Sequence, residues 1–215
     1  DTVSLNVADN NGSAGPLSSG PQSFHVGVVP QVFYIDNSAT GSANLGTQHD
    51  PFTSIAAFNA ANPAGSGDYV VLEHGTGTYS EANGINLANG VNLIGGSHTL
   101  QFTNPVTSAV VTANTGSGTD PVIKVTGADN GIDLLGTTGH SITGVSIDTS
   151  ASTGIGISDD GNNVGTVTMS DITVNTSSGA GLSFTHGGTI TVTGATNTIT
   201  STTGTALDVE HTNIG

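Results

Sequence analysis

The sequence contains no cysteine and no tryptophan. Without cysteine there are no disulfides and no thiolate metal sites, which does not exclude secretion. Basic residues are almost missing as well. Lys124 stands alone, arginine is absent, and 16 acidic residues bring the formal net charge to −15. A surface of that sign repels phosphate backbones, so nucleic acid is not expected as a partner. It also repels anionic lipid headgroups. No run approaches the roughly 18 apolar residues that span a bilayer, so no membrane insertion is expected. Charged residues make up only 8% of the 215, against about a quarter of an average soluble domain.

Threonine, serine, asparagine and 32 glycines supply the polarity instead. Neutral hydroxyls and amides suit stacked strands, where they form ladders without like-charge repulsion. The excess of carboxylates has two readings. It keeps the protein soluble, or it attracts divalent cations, of which Ca²⁺ fits best because its ligands are hard oxygens.

Three regions differ in pattern. In residues 1–30, the stretch Thr-Val-Ser-Leu-Asn-Val at 2–7 alternates like a half-buried strand. Residues 23–29 read as a second strand. Two strands are marginal alone, so this piece is expected to complete another body. Residues 31–67 hold a short apolar strand at 32–35, a polar loop, and one helix at about 52–61. Asp50 is the N-cap candidate and Pro51 the first helical position. Phe52, Ile55, Ala56 and Phe58 share a face of that helix, which would cover the open end of a sheet stack. Residues 68–215 are short strands broken by Gly, Asn, Asp and Ser.

The last third of the chain repeats. Val145-Ser146-Ile147, Ile172-Thr173-Val174 and Thr198-Ile199 are each followed, at one offset, by a second apolar pair. These are Ile155 and Ile157, Leu182 and Phe184, and Leu207 and Val209. The copies recur at a period of roughly 25–27 residues, within the range of solenoid repeats. Period-2 pairs recurring at that distance describe one coil of a β-solenoid, with Ile155–Leu182–Leu207 and Ile157–Phe184–Val209 as inward ladders. A sandwich of short strands has similar composition but not three registered copies.

Residues 33–96 carry the pieces Phe33-Tyr34-Ile35-Asp36-Asn37, Asp50-Pro51-Phe52-Thr53-Ser54-Ile55, Gly67-Asp68-Tyr69-Val70-Val71-Leu72 and Gly90-Val91-Asn92-Leu93-Ile94-Gly95-Gly96. Together they resemble the first coils of the pectate-lyase-like right-handed β-helix superfamily. Residues 197–215 resemble β-strand-repeat segments of large bacterial surface proteins, and the segment from Leu5 to Val26 resembles the closing strands of a cadherin-like or immunoglobulin-like repeat. The resemblance implies an all-β chain: a right-handed parallel β-helix with a short capping α-helix, preceded by strands of an Ig/cadherin-like module. It also implies an exported adhesin or cell-surface component. The chain starts at Asp1 with no signal peptide, and no cap is evident before Gly215, so both ends are expected to be cuts through a longer polypeptide.

Catalytic patterns are sparse. Uronate lyases of this superfamily use Arg or Lys to neutralise a carboxylate and take the α-proton, and only Lys124 is present. Asp159-Asp160 resembles the paired aspartates of polygalacturonases, but their Gly-His-Gly and Arg-Ile-Lys motifs are absent. Asp159-Asp160-Gly161-Asn162-Asn163 reads as a turn between coils or as Ca²⁺ ligands. Asp9, in Asp9-Asn10-Asn11-Gly12, reads the same two ways. The seven histidines never fall in a zinc spacing. The expected function is a non-catalytic structural or adhesive module, with itself or neighbouring modules as partner and surface glycans as a further candidate. A filament subunit joined by N-terminal strand addition and a glycan-active enzyme are the alternatives.

Overall fold

The computed structural model describes residues 29–104 and 106–215. The strands read at 2–7 and 23–29, the sandwich-like module and Asp9 therefore fall outside the described residues, save for Val29.

The chain winds into a parallel β-solenoid of about six turns. It opens with β1 (Val32–Ile35), a polar loop and α1 (Ile55–Ala61). The first full turn is β2 (Tyr69–Leu72), β3 (Thr78–Glu81) and β4 (Ile85–Leu87). The second starts with β5 (Asn92–Gly95) and leaves the stack for an antiparallel hairpin, β6 (Thr99–Thr103) and β7 (Val110–Thr115). It resumes with β8 (Val122–Val125) and β9 (Ile132–Leu134). β10 (His140–Thr149) and β11 (Ile157–Ser158) form the third turn, and β12 (Thr166–Thr176) and β13 (Leu182–Phe184) the fourth. β14 (Thr189–Thr193), β15 (Thr198–Ser201) and β16 (Leu207–Val209) form the fifth, and β17 (Asn213–Ile214) follows.

Three walls result. The first is β1-β2-β5-β10-β12-β14-β17, the second β3-β8-β10-β12-β15, and the third β4-β9-β11-β13-β16. Every pairing between turns is parallel. β10 and β12 serve two walls each by bending at Gly144 and Asp171, both left-handed (φ 66° and 51°). The two corners are stacked, yet only one needs glycine for space. A Cβ on Gly144 would lie 1.9 Å from the His98 ring at the hairpin base, whereas one turn later the corner accommodates the side chain of Asp171.

The period-2 alternation of the sequence does what it predicts. Tyr79, Ile123, Ile147 and Val174 form one inward column, and Ile85, Ile132, Ile157 and Leu182 another, all essentially inaccessible. Burying each such side chain contributes about 1.5–3 kcal/mol. Where turns differ in length, the ladder leaves amides without a carbonyl, and asparagine oxygens accept from them across turns. Asn92 Oδ1 takes the amide of Ser141 (2.9 Å), Asn130 that of Ile155 (2.9 Å) and Asn197 that of Ile172 (3.1 Å).

Two expectations are corrected. Leu182 stacks on Ile157, not on Ile155, so the third-wall ladder is Ile132–Ile157–Leu182–Leu207, evenly spaced along the chain. The pairing of Phe184 with Val209 holds, but Ile157 is not in that column. The cause is a corner two residues longer in the third turn. Thr149 and Thr176 are paired and fully buried, and each hydroxyl donates back to a glycine carbonyl: Gly154 from Thr149 (3.0 Å), Gly179 from Thr176 (2.9 Å). The loop from Thr149 to Gly154 absorbs the two extra residues before the chain rejoins the stack.

The helix also starts later than Pro51. Its N-cap is Ser54, whose hydroxyl accepts from Ala57 N (3.0 Å). Phe52 is taken by strand-like pairing beside β1: its amide donates to Tyr34 O (2.9 Å) and its carbonyl accepts from Asp36 N (2.8 Å). Asp50 accepts from Ser42 Oγ (2.7 Å) and Ala43 N instead. The first amides of α1 are met by Glu81 of the next turn, with Ile55 N at 2.6 Å and Ala56 N at 2.8 Å. Ile55 and Phe58 are buried, Phe58 meets Phe52 edge to face at 5.7 Å, and Ala57 packs against them, whereas Ala56, expected on this face, is exposed because the helix begins only after Ser54.

Replacing Leu182 by Ala should lower unfolding free energy by about 2–5 kcal/mol, and Leu207→Ala, at a residue 44% exposed, by clearly less. Urea denaturation of both variants checks this, and equal losses would contradict the ladder.

Candidate functional site

Asp159 lies just past the end of β11, where the register continues the column that holds Leu134 and Phe184. Its carboxylate is therefore buried and must find donors. Oδ2 accepts from the amides of Thr185 (2.7 Å) and His186 (2.9 Å) in the next turn, and Oδ1 from the amide of Gly161 (3.2 Å). The His186 imidazole stands 3.2 Å from Oδ2. The lone pairs are thus engaged by N–H groups, and the carboxylate ties two turns together. Its neighbour Asp160 is exposed and left-handed (φ 44°), with its carbonyl accepting from the Asn162 amide nitrogen (3.1 Å). The adjacent aspartates thus occupy opposite environments.

Other titratable groups line the corners. Burial, then the charge of Asp36, pushes the Glu73 carboxyl up. Asp133 is pushed up chiefly by burial, with Asp129 and Asp160 adding to it and a hydrogen bond from Asn130 (2.7 Å) opposing. Tyr79 is held far above its ordinary value by burial, its hydroxyl lying between the carbonyls of Ile35 (2.9 Å) and Glu73 (2.8 Å). Lys124 faces Asp148 across the second wall at 3.9 Å. Among the described residues no three of His, Asp and Glu gather as a metal cluster, and there is no pocket.

His140 is buried with Nδ1 donating to Val91 O (2.8 Å), while its Nε2 makes no hydrogen bond. Burial lowers its pKa, against the pull of the Val91 and Leu135 carbonyls.

The most distinctive surface is the outer face of the first wall. Over its first three strands that face is apolar: Val32, Tyr34, Tyr69, Val71 and Ile94. The β6–β7 hairpin folds over it with Leu100, Phe102 and Ala113, forming a second small core. The Tyr34 hydroxyl donates to Ala113 O (2.6 Å), Phe102 meets Tyr69 edge to face at 5.2 Å, and Asn114 Nδ2 donates to Gly96 O (3.0 Å) and His98 O (2.7 Å). Beyond the hairpin the same face turns into hydroxyls. Ser141, Thr168 and Thr191 form one row, and Thr143, Ser170 and Thr193 the next, with Thr143 Oγ1 3.1 Å from Ser170 Oγ. The hairpin was legible only as a long interval between repeats. Its one sequence signal is the absence of any acidic residue from Ala82 to Thr119.

No protein family matches the chain, and no curated protein or solved structure was found to resemble it.

Acid should destabilise the fold partly through His140. A depressed folded pKa means that its contribution is complete above about pH 6.5 and is lost as pH falls from there through the folded value. Glu73 and Asp133 act oppositely: their raised values make contributions present in acid that disappear as pH rises. His140→Gln should therefore lose less stability than the parent between about pH 7.5 and pH 5 in denaturant titrations, whereas parallel pH profiles would exclude the effect.

Proposed function

We propose that this chain is a non-catalytic structural or adhesive module of an exported bacterial surface protein, one that extends, displays or self-associates. The observation that carries this reading is the uninterrupted parallel stack. Successive turns share hydrogen bonds and inward columns along one axis, an arrangement that resists bending and repeats without limit. The resemblance of residues 33–96 to pectate-lyase-like β-helices, and of residues 197–215 to bacterial surface repeats, supports export and an extracellular setting. The opposite environments of Asp159 and Asp160 speak for a non-catalytic role, because a glycosidase needs two carboxylates facing one bond.

Ca²⁺ belongs to the proposal as a stabiliser of surface carboxylates, with the exposed Asp160 as the described candidate and Asp9 as a further one, the Asp159 carboxylate being already occupied by N–H donors. Added Ca²⁺ should raise the melting temperature and a chelator lower it; identical melting curves would leave the carboxylates a solubility role alone.

A filament subunit is the second reading. It rests on the alternating patterns of residues 2–7 and 23–29, whose backbone groups need strand partners that a neighbouring molecule can supply. Electron micrographs of the purified chain, with and without residues 1–29, test both readings. Filaments that vanish on deletion support strand addition, isolated rods support extension, and release of sugars from polysaccharides by the chain would overturn the non-catalytic reading.

A further inference from the structure

Charge is distributed unevenly around the solenoid. Among the described residues β1, β2, β5, β14 and β17 contain no Asp, Glu, Lys or Arg, nor do residues 140–143 of β10 and 166–170 of β12. These are the whole first wall. The hairpin strands β6 and β7 carry none either. The second and third walls carry Glu81, Lys124, Asp133, Asp148 and Asp208. In a chain of net charge −15, the first wall is the one whose strands carry no carboxylate, with Asp36, Asp68, Glu73 and Asp171 only at its strand ends, so another acidic surface meets the least repulsion there.

The wall is also stepped. The hairpin raises its first half, and among the described residues nothing covers the hydroxyl rows of its far half. The raised half exposes Thr99, Gln101, Thr103, Val110 and Thr112 on the side away from Phe102, with Val110 62% exposed. A step of this kind is complementary to itself: a two-fold axis through it lays the hairpin of one copy on the bare rows of the other. Contacts across such an axis are isologous. The rows of both copies repeat at the spacing of hydrogen-bonded strands, about 4.8 Å, so that short side chains of one can seat between those of the other.

We propose that the outer face of the first wall is the contact face between two copies of this chain, paired antiparallel with each hairpin seated on the Ser141–Thr193 hydroxyl face of its partner. A neutral polysaccharide is the other occupant that an uncharged face admits. Stacking on exposed aromatic rings adds to the hydrogen bonds that hold a sugar, however, and the rings of this face, Tyr34, Tyr69 and Phe102, are engaged in the small core beneath the hairpin. The hydroxyl rows contain no ring. The pairing deepens the self-association named above and rests on that reading.

Sedimentation equilibrium of the full 215-residue chain tests it. The parent should show a concentration-dependent dimer that tightens with salt as the repulsion between the other walls is screened. Thr168→Asp with Thr191→Asp should weaken the dimer at least tenfold, and so should Val110→Asp on the hairpin. Thr198→Asp, on the exposed face of the second wall, should leave it unchanged. Circular dichroism of each variant confirms that the solenoid is folded. Because the parent has no cysteine, Val110→Cys and Thr168→Cys provide a second reading that does not depend on charge: an oxidised mixture of the two should give mixed dimers, and neither variant alone should. A parent that stays monomeric, a dimer indifferent to the first-wall carboxylates, or a monomer that binds a neutral polysaccharide through this wall would each overturn the proposal. End-to-end filaments or isolated rods in micrographs bear on the earlier reading instead, so the two can fail separately.

Discussion

Parallel, in-register hydrogen bonding between successive turns is the constraint on which the rest of this structure depends. Each strand must find the strand one turn away at about 4.8 Å, so a residue's surroundings are set by its counterparts above and below. This explains the inward columns. Ile85, Ile132, Ile157 and Leu182 each rest on an aliphatic side chain of the same size. It also explains the corners. Thr149 and Thr176 hold equivalent positions and make equivalent bonds although one loop is two residues longer, because the stack demands that both loops return to one place.

The same constraint decides where polar groups can be buried. Asp159 follows Ile157 by two and so falls in a column otherwise occupied by Leu134 and Phe184. A carboxylate there is tolerable because the neighbouring turn presents the Thr185 and His186 amides to it. Glu81 does similar work at the other end, where the first amides of α1 need an acceptor. Both acids act as fixed connectors between neighbouring turns, which accounts for acidic residues inside a fold that has almost no bases to pair them with.

Insertions are restricted to the outside of the stack, and the hairpin shows what one can do there. It converts an apolar strip of Tyr34, Val71 and Ile94 into a second core and does not reach the hydroxyl rows of the later turns, which no described residue covers. The first wall is thereby divided into a raised half and a flat half, both without charge. That division, together with carboxylates placed on the other two walls and at the corners, makes one side of the molecule different in kind from the others.

How much of this was legible in the chain varied with the range of the interaction. Period-2 alternation and its recurrence once per coil were sufficient for the all-β solenoid, for the match of Ile147 with Val174 and Ile199, and for a helix near its start, because those patterns repeat the period of the stack itself. Asp50 and Pro51 looked like a helix start by local rules, yet Phe52 was claimed by β1 and the cap passed to Ser54, a choice made by contacts across the chain. Ile155 likewise looked in register until the longer Thr149–Gly154 corner moved Ile157 into its place. The burial of Asp159, the folding of the hairpin onto the first wall and the gathering of uncharged strands on one face could not be read from order along the chain. Composition and periodicity determined that the chain would coil; which residues meet around the coil depended on the length of every corner, and those lengths acquire meaning only when the turns are stacked.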